Sequence, residues 1–177
     1  HIDLARLCQW AGVRFIAAAV TAVDPEHQTL TLAGRPSITY DVLSLDIGSQ
    51  PELDSVPGAR LHAVPVKPVS SLWQRWQALY GRMQALGAAQ QYHVSIVGGG
   101  AGSVEVAMAM SHRLQGLSVT IDLWCGAAEI LQGYNASARR SAMVALQRHG
   151  IAVHLDARVS EVEDASLVLA DGTRANY

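Results

Sequence analysis

The residues best placed to do chemistry lie in one run, His93-Val94-Ser95-Ile96-Val97-Gly98-Gly99-Gly100-Ala101-Gly102-Ser103-Val104-Glu105. An apolar strand runs straight into glycines, and the glycines open a helix. Gly98 permits a tight turn, and Gly100 lets the backbone approach a pyrophosphate closely. The helix start beyond it, at Ala101, Gly102 and Ser103, offers unpaired N–H groups and the positive end of a dipole to phosphate oxygens. The chemistry implied is the binding of a dinucleotide, and the strand–turn–helix setting is what gives the glycines that meaning. The competing reading is a glycine-rich turn that only packs a helix on a strand.

Two positions depart from the pattern. The third fingerprint position is Ser103, small enough to keep the helix close to the strand. The strand after the helix ends at Cys125-Gly126, where an acidic residue would bind a ribose 2′-hydroxyl, and neither residue is acidic. No Arg stands there to favour a 2′-phosphate, so the choice between NADH and NADPH stays open. Asp122 falls within that strand and reads as a buried or edge polar group. Read from the residues alone, Glu105 is a first-turn carboxylate stabilised by the helix dipole.

Elements must position this run. Asp3–Ala11 reads as a helix closed by Gly12. Arg14–Val23 alternates weakly, Asp24-Pro25-Glu26-His27 is a turn, and Gln28–Ala33 is a strand. Gly34-Arg35-Pro36 is the next turn and Ile38–Ile47 the third strand. This antiparallel meander is too small to stand alone. The irregular stretch Gln50–Pro68 carries Pro51, Pro57, Pro65 and Pro68 and marks the expected boundary between domains 1–68 and 69–177. Val69–Leu86 reads as a helix, capped by Ser70 or Ser71, with Leu72, Trp76, Leu79, Met83 and Leu86 at helical spacing.

From Tyr92 the order is β-α-β-α-β: Tyr92–Val97, Ala101–Leu114, Ser118–Trp124, Asn135–His149 and Ile151–Leu155, the second helix stopped by Gly150. Arg158–Glu163 and Ser166–Ala170 read as two more strands, with a turn at Asp171-Gly172. The expected fold class is α/β, a Rossmann-like parallel sheet beside a small antiparallel β-meander.

The bulk composition agrees. Half of the 177 residues are hydrophobic, and the net charge of −2 gives no basic footprint for nucleic acid. Cys8 and Cys125 are far apart and read as reduced thiols, not as a redox pair or zinc site. The seven histidines show no HExxH spacing, so no metal is expected. Trp73, Trp76, Met108 and Met110 read as packing residues. Arg139-Arg140 sits early on a helix, where the dipole disfavours cations; surface charge is the plain reading and contact with an adenosine phosphate the other. No apolar run is long enough to cross a bilayer and no signal peptide is visible. The chain opens His1-Ile2-Asp3-Leu4, as a piece cut from a longer protein would. The expected location is cytoplasmic, with peripheral contact to a membrane left open for the full-length protein.

A second run, Tyr40-Asp41-Val42-Leu43-Ser44-Leu45-Asp46-Ile47-Gly48-Ser49, precedes the proline-rich stretch. A meander, a strand ending in Gly-Ser, a linker and then a dinucleotide fold resembles the pyridine nucleotide-disulfide oxidoreductase family, in which the nucleotide domain is inserted into an FAD domain. The family pattern, Tyr-Asp-x-Leu ending in Ala-Thr-Gly-Ser, is met at Tyr40, Asp41, Leu43, Gly48 and Ser49 and departs at Asp46-Ile47. The likeness covers nearly the whole chain and is strongest to the type II NADH dehydrogenase-like branch. His1-Ile2-Asp3-Leu4, Leu43–Ser49 and Val66-Lys67-Pro68 add a narrower likeness to the FAD-dependent module fused to selenide, water dikinase.

The resemblance implies FAD and NAD(P)H as cofactors, with hydride passing from the coenzyme to flavin and on to a quinone or other acceptor. It implies that the chain holds the meander of the FAD domain and most of the NAD(P)H domain, and is inactive and a poor flavin binder alone. It places Val20 at the FAD adenine, Gly48 and Ser49 at the flavin phosphates or ribityl, and Glu105 near the nicotinamide. Lys67 faces the flavin in one reading and is a solvated hinge lysine in the other. Cys125 joins Gly98–Ser103 at the NAD(P)H site. The alternative function is a degenerate nucleotide-binding or regulatory module in a fusion protein. An unrelated single-domain Rossmann protein is disfavoured by the preceding meander.

Overall fold

The computed structural model describes residues 2–48, 51–87 and 90–177 and divides into two compact units, His1–Gly48 and Ser49–Tyr177. In the first, helix α1 (Leu4–Trp10) starts where the Asp3 carboxylate accepts the Arg6 N–H at 3.2 Å, which satisfies a helix-end donor. Strands β1 (Val20–Asp24), β2 (Thr29–Leu32) and β3 (Arg35–Thr39) form an antiparallel sheet in sequence order. Asp24 builds the first turn: its carboxylate accepts the N–H groups of Glu26 and His27 at 3.1 and 3.0 Å and meets His27 Nδ1 at 2.8 Å. These bonds, the His27 N–H foremost, hold the Asp24 carboxyl below the usual carboxylate range. Leu30 and Leu32 are buried.

The third strand differs from expectation. It begins at Arg35 and ends at Thr39 instead of spanning Ile38–Ile47. Its neighbour sets the limit: Thr39 pairs with Thr29, the first residue of β2, and one more bond joins the Tyr40 N–H to Gln28 O at 3.0 Å. Beyond Asp41 the sheet supplies no further neighbouring backbone. Arg35 and Pro36, read as turn residues, lie in the strand, and β3 is an edge strand, where proline is tolerated.

In the second unit the proline-rich stretch contains a short helix, α2 (Ala59–His62), which the sequence did not announce. Gly58 precedes it with φ 75°, and the Val162 N–H donates to Pro57 O at 2.9 Å. Helix α3 (Val69–Leu86) forms over the expected span. Neither expected serine caps it: Pro68 holds the cap position with no side-chain bond, and Ser71 Oγ instead donates back to Pro68 O at 2.9 Å.

Strands β4 (Tyr92–Val97), β5 (Val119–Trp124) and β6 (Ala152–His154) make the parallel sheet, linked by α4 (Ala101–Arg113) and α5 (Ala136–Arg148). Val97 pairs with Trp124 and Trp124 with His154, so the three strands end level. The Asn135 side chain caps α5 by accepting the Ala138 N–H at 2.8 Å. The chain continues as an antiparallel sheet of β7 (Val159–Val162), β8 (Ser166–Leu169) and β9 (Arg174–Asn176). β9 was not expected, since three residues after Asp171-Gly172 carry too little pattern to read.

Strand alternation sorts two cores. Ile96, Ile121 and Leu123 face the helices and pack with Met83, Val104, Ala107 and Leu146. Trp124 faces the other way and packs with Ala59, Val159, Val162, Leu167 and Leu169. That second face carries polar pairs: Thr120 Oγ1 with His93 Nδ1 at 2.8 Å, Trp124 Nε1 donating to Ser95 Oγ at 3.1 Å, and Asp122 Oδ1 with His154 Nε2 at 2.6 Å. Asp122 is thus a half-buried partner of histidine, and the His154 ring stacks on Trp124 with centroids 3.9 Å apart.

Candidate dinucleotide cradle

The glycine turn sits at the C-terminal end of β4, between that strand and α4. Two contacts fix it to the end of β5 and the loop beyond, and a third joins it to α4. The Gly98 N–H donates to Trp124 O at 2.8 Å, the Leu131 N–H donates to Gly99 O at 2.7 Å, and the Val104 N–H donates to Gly100 O at 3.2 Å. Gly98 has φ 127°, and a Cβ there would stand 2.6 Å from Ser103 Oγ. The serine at the third fingerprint position therefore fills the space left by the first glycine, and helix and strand stay close. Gly99 makes the tightest approach: a Cβ would lie 2.2 Å from Cys125 Sγ and 3.2 Å from Cys125 Cβ. Sequence reasoning assigned no such role to Gly99, because the contact joins positions far apart in the chain.

Gly100 and Gly102 behave differently. A Cβ on either meets nothing within 4 Å. Packing within the protein does not demand glycine there, and close approach by a ligand would. Gly100 caps α4 in extended conformation with no side-chain hydrogen bond, so the first N–H groups of the helix keep their donors for an outside acceptor. Bare donors, a positive dipole end and two glycines facing open space fit the pyrophosphate of a dinucleotide.

The other expected residues fall as follows. Ala101 and Ser103 are half-buried in the first turn of α4. Glu105 is exposed on α4 beyond the first turn, which contains no acidic residue, so the first-turn reading of its carboxylate is corrected. Cys125 is buried, its thiol against Gly99 and 3.6 Å from Glu129 O. Its N–H donates to His154 O at 2.8 Å, which ties the end of β5 to β6. Val20 opens β1 half-exposed, and Gly48 has φ 71° with open space around it; both belong to the first unit. Ser49 lies outside the described residues. Lys67 belongs to the second unit and precedes α3 across a cis bond to Pro68.

Arg139 contacts Glu129 at 3.1 Å and donates to Tyr134 O at 2.9 Å, closing the loop after β5. Trp76 stacks on Tyr80 with centroids 5.8 Å apart and is a packing residue, and the Arg113 guanidinium lies 4.6 Å from the Tyr80 ring centre. Trp73 is largely exposed. Cys8 and Cys125 are free thiols. Among the described residues no group of three or more His, Cys, Asp or Glu side chains could hold a metal ion.

Comparison with known proteins agrees with this fold. The chain is 29% identical over 163 residues to demethylphylloquinone reductase NdbB of Synechocystis, covering 90% of this chain and 40% of that protein. It superposes with a TM-score of 0.75 on NDH2 from Plasmodium falciparum in complex with NADH, at 15% identity, covering 92% of this chain and 38% of that one. An FAD-dependent pyridine nucleotide-disulphide oxidoreductase from Desulfovibrio vulgaris gives a TM-score of 0.63 at 20% identity, covering 94% and 42%. The chain thus spans about two fifths of the length of these proteins. Residues 8–177 match the pyridine nucleotide-disulphide oxidoreductase family, and the chain belongs to that family.

Proposed function

We propose that this chain supplies the coenzyme-binding part of an FAD-dependent NAD(P)H oxidoreductase that passes electrons to a quinone or another acceptor. The observation that carries the reading is the uncapped start of α4, with Gly100 and Gly102 open to a ligand at the level end of a parallel sheet. Family membership supports the reaction class, and the likeness to a demethylphylloquinone reductase supports a quinone as acceptor.

Residues 1–68 serve the flavin side and residues 69–177 the coenzyme side. The N–H groups of Ala101, Gly102 and Ser103 hold the pyrophosphate, and the Cys125-Gly126 backbone borders the adenosine ribose. Glu105 lies toward the nicotinamide. The Val20 backbone meets the FAD adenine, Gly48 and Ser49 border its phosphates or ribityl, and Lys67 faces the flavin. FAD, when bound, supplies the hydride acceptor for the reduced nicotinamide. The chain alone is inactive and binds flavin poorly. Association with selenide, water dikinase rests on the sequence runs at His1–Leu4, Leu43–Ser49 and Val66–Pro68. No helix among the described residues is long and apolar enough to cross a membrane, and peripheral docking is the membrane contact that a quinone acceptor would need.

An absorbance spectrum of the intact flavoprotein, taken before and after anaerobic NADH and then NADPH, tests the proposal. A flavin band that bleaches supports it. A band that resists both favours a regulatory nucleotide-binding module, the reading motivated by the missing acid at Cys125-Gly126. Failure to bind added FAD contradicts the oxidoreductase reading.

A further inference from the structure

We infer that Arg158 supplies the binding site for an adenosine 2′-phosphate, so that this chain prefers NADPH to NADH. The inference rests on the coenzyme reading given above and adds the residue that sets its specificity. In a dinucleotide fold the ribose 2′ substituent lies at the end of the strand after the glycine helix. A carboxylate there binds the 2′-hydroxyl, and an arginine there accommodates the 2′-phosphate. That strand is β5, and its end, Cys125-Gly126, carries neither group.

The structure brings an arginine to the spot from another element. A Cβ built on Gly126 would stand 3.3 Å from Arg158 Cα, 3.3 Å from its Cβ and 3.4 Å from its Cγ. The stem of Arg158 therefore lies directly across the end of β5, and Gly126 leaves the room for it. The placement is held by backbone. The Ala157 N–H donates to Cys125 O at 2.9 Å, the Asp156 N–H donates to Ala127 O at 3.0 Å, and the Ala170 N–H donates to Arg158 O at 2.8 Å. The loop from β6 to β7 is thereby clamped to the end of β5 on both sides of Gly126.

Arg158 is exposed, and it forms no ion pair with a described residue. The other charges of the neighbourhood are differently placed. Glu129, four residues beyond Cys125, is taken up by Arg139 at 3.1 Å. Asp156 has φ 53° and its N–H donates to Ala127 O. A planar guanidinium held on a packed stem suits a phosphate dianion, which it can bind with two parallel hydrogen bonds.

The test is calorimetric titration of the 177-residue chain with 2′,5′-ADP and with 5′-AMP, which differ only in the 2′-phosphate. The expected result is that 2′,5′-ADP binds about tenfold or more tightly, the worth of one charge-assisted contact. Arg158→Gln should abolish that preference while leaving 5′-AMP binding unchanged, and Arg158→Lys should keep part of it. Arg140→Gln and Asp156→Asn should leave the preference intact. Equal binding of the two nucleotides to the native chain overturns the inference, as does a preference that survives Arg158→Gln. If neither nucleotide binds, the coenzyme reading itself falls and takes the inference with it.

Discussion

The sheet of the first unit and the parallel sheet of the second carry strands of similar length, yet they are held in different ways. β5 is covered on both faces: Ile121 and Leu123 lie under the helices, and Trp124 lies under the antiparallel sheet. In the first unit Leu30 and Leu32 are buried, whereas Trp10, Val42 and Ile47 are 86%, 89% and 89% exposed. The second unit therefore contains its own cores, and its glycine turn is pinned from several directions. The first is specified mainly by its turns, Asp24 with His27 and Gly34 with φ 66°. A cradle for phosphate needs the core-backed support of the second unit, because preorganised donors bind only if the backbone that presents them does not move.

The strongest way to break this contrast is at Gly58. It has φ 75°, and a Cβ there would stand 1.8 Å from Val162 O. Gly58→Ala should cost about 3 kcal/mol through backbone strain and overpacking, read as a lower urea midpoint of the second unit. A neutral result would mean that the proline-rich segment is only draped on β7. A paired substitution comes next. Leu123→Ala, at a fully buried position, should cost about 3 kcal/mol, followed by hydrogen exchange of the β5 amides. Leu30→Ala should cost about 1–2 kcal/mol because its sheet is covered less, followed by hydrogen exchange of the β2 amides. Equal losses would erase the distinction between the units.

Gly99→Ala probes the turn itself. The clash with Cys125 Sγ should cost about 2 kcal/mol, and adding Cys125→Ala should recover roughly half of it, as a double-mutant cycle would show. No recovery would place the constraint elsewhere. The smallest effect is expected at Tyr92, whose buried hydroxyl has no hydrogen-bond partner in the structure. Tyr92→Phe should be neutral or stabilise by up to about 1 kcal/mol, since it removes an unsatisfied polar group. A loss of that size, measured by thermal denaturation, would show that the hydroxyl is bonded.

How much of this was legible depends on where each determinant lies. The β-α-β-α-β order could be read because its signals are local: apolar strands, the Asn135 cap, the glycines at 98–100 and the stop at Gly150. Helix α3 could be read from Leu72, Trp76, Leu79 and Met83 at helical spacing. Ile38–Ile47 misled because strand propensity does not say how far a neighbour extends, and β2 starts only at Thr29. The cradle was legible in its glycines but not in its supports. The fit of Gly99 against Cys125 and of Gly126 under Arg158 joins residues 26 and 32 positions apart, and a single sequence carries no sign of such contacts.

The central claim is that the start of α4 holds the coenzyme pyrophosphate, and Gly100 tests it most directly. A Cβ at Gly100 meets no protein atom within 4 Å, and its φ of −82° suits any residue. Gly100→Val should therefore leave stability within about 1 kcal/mol of the native chain, the cost of a poorer helix cap, while obstructing the pyrophosphate. The measurement is titration of both chains with NADPH and NADH, monitored by backbone amide NMR. Shifts are expected at Gly98 through Ser103 in the native chain, with a loss of affinity of at least about tenfold in a still-folded Gly100→Val variant, a difference of about 1.4 kcal/mol. Unchanged affinity in that variant, or shifts confined to other parts of the chain, would contradict the central claim.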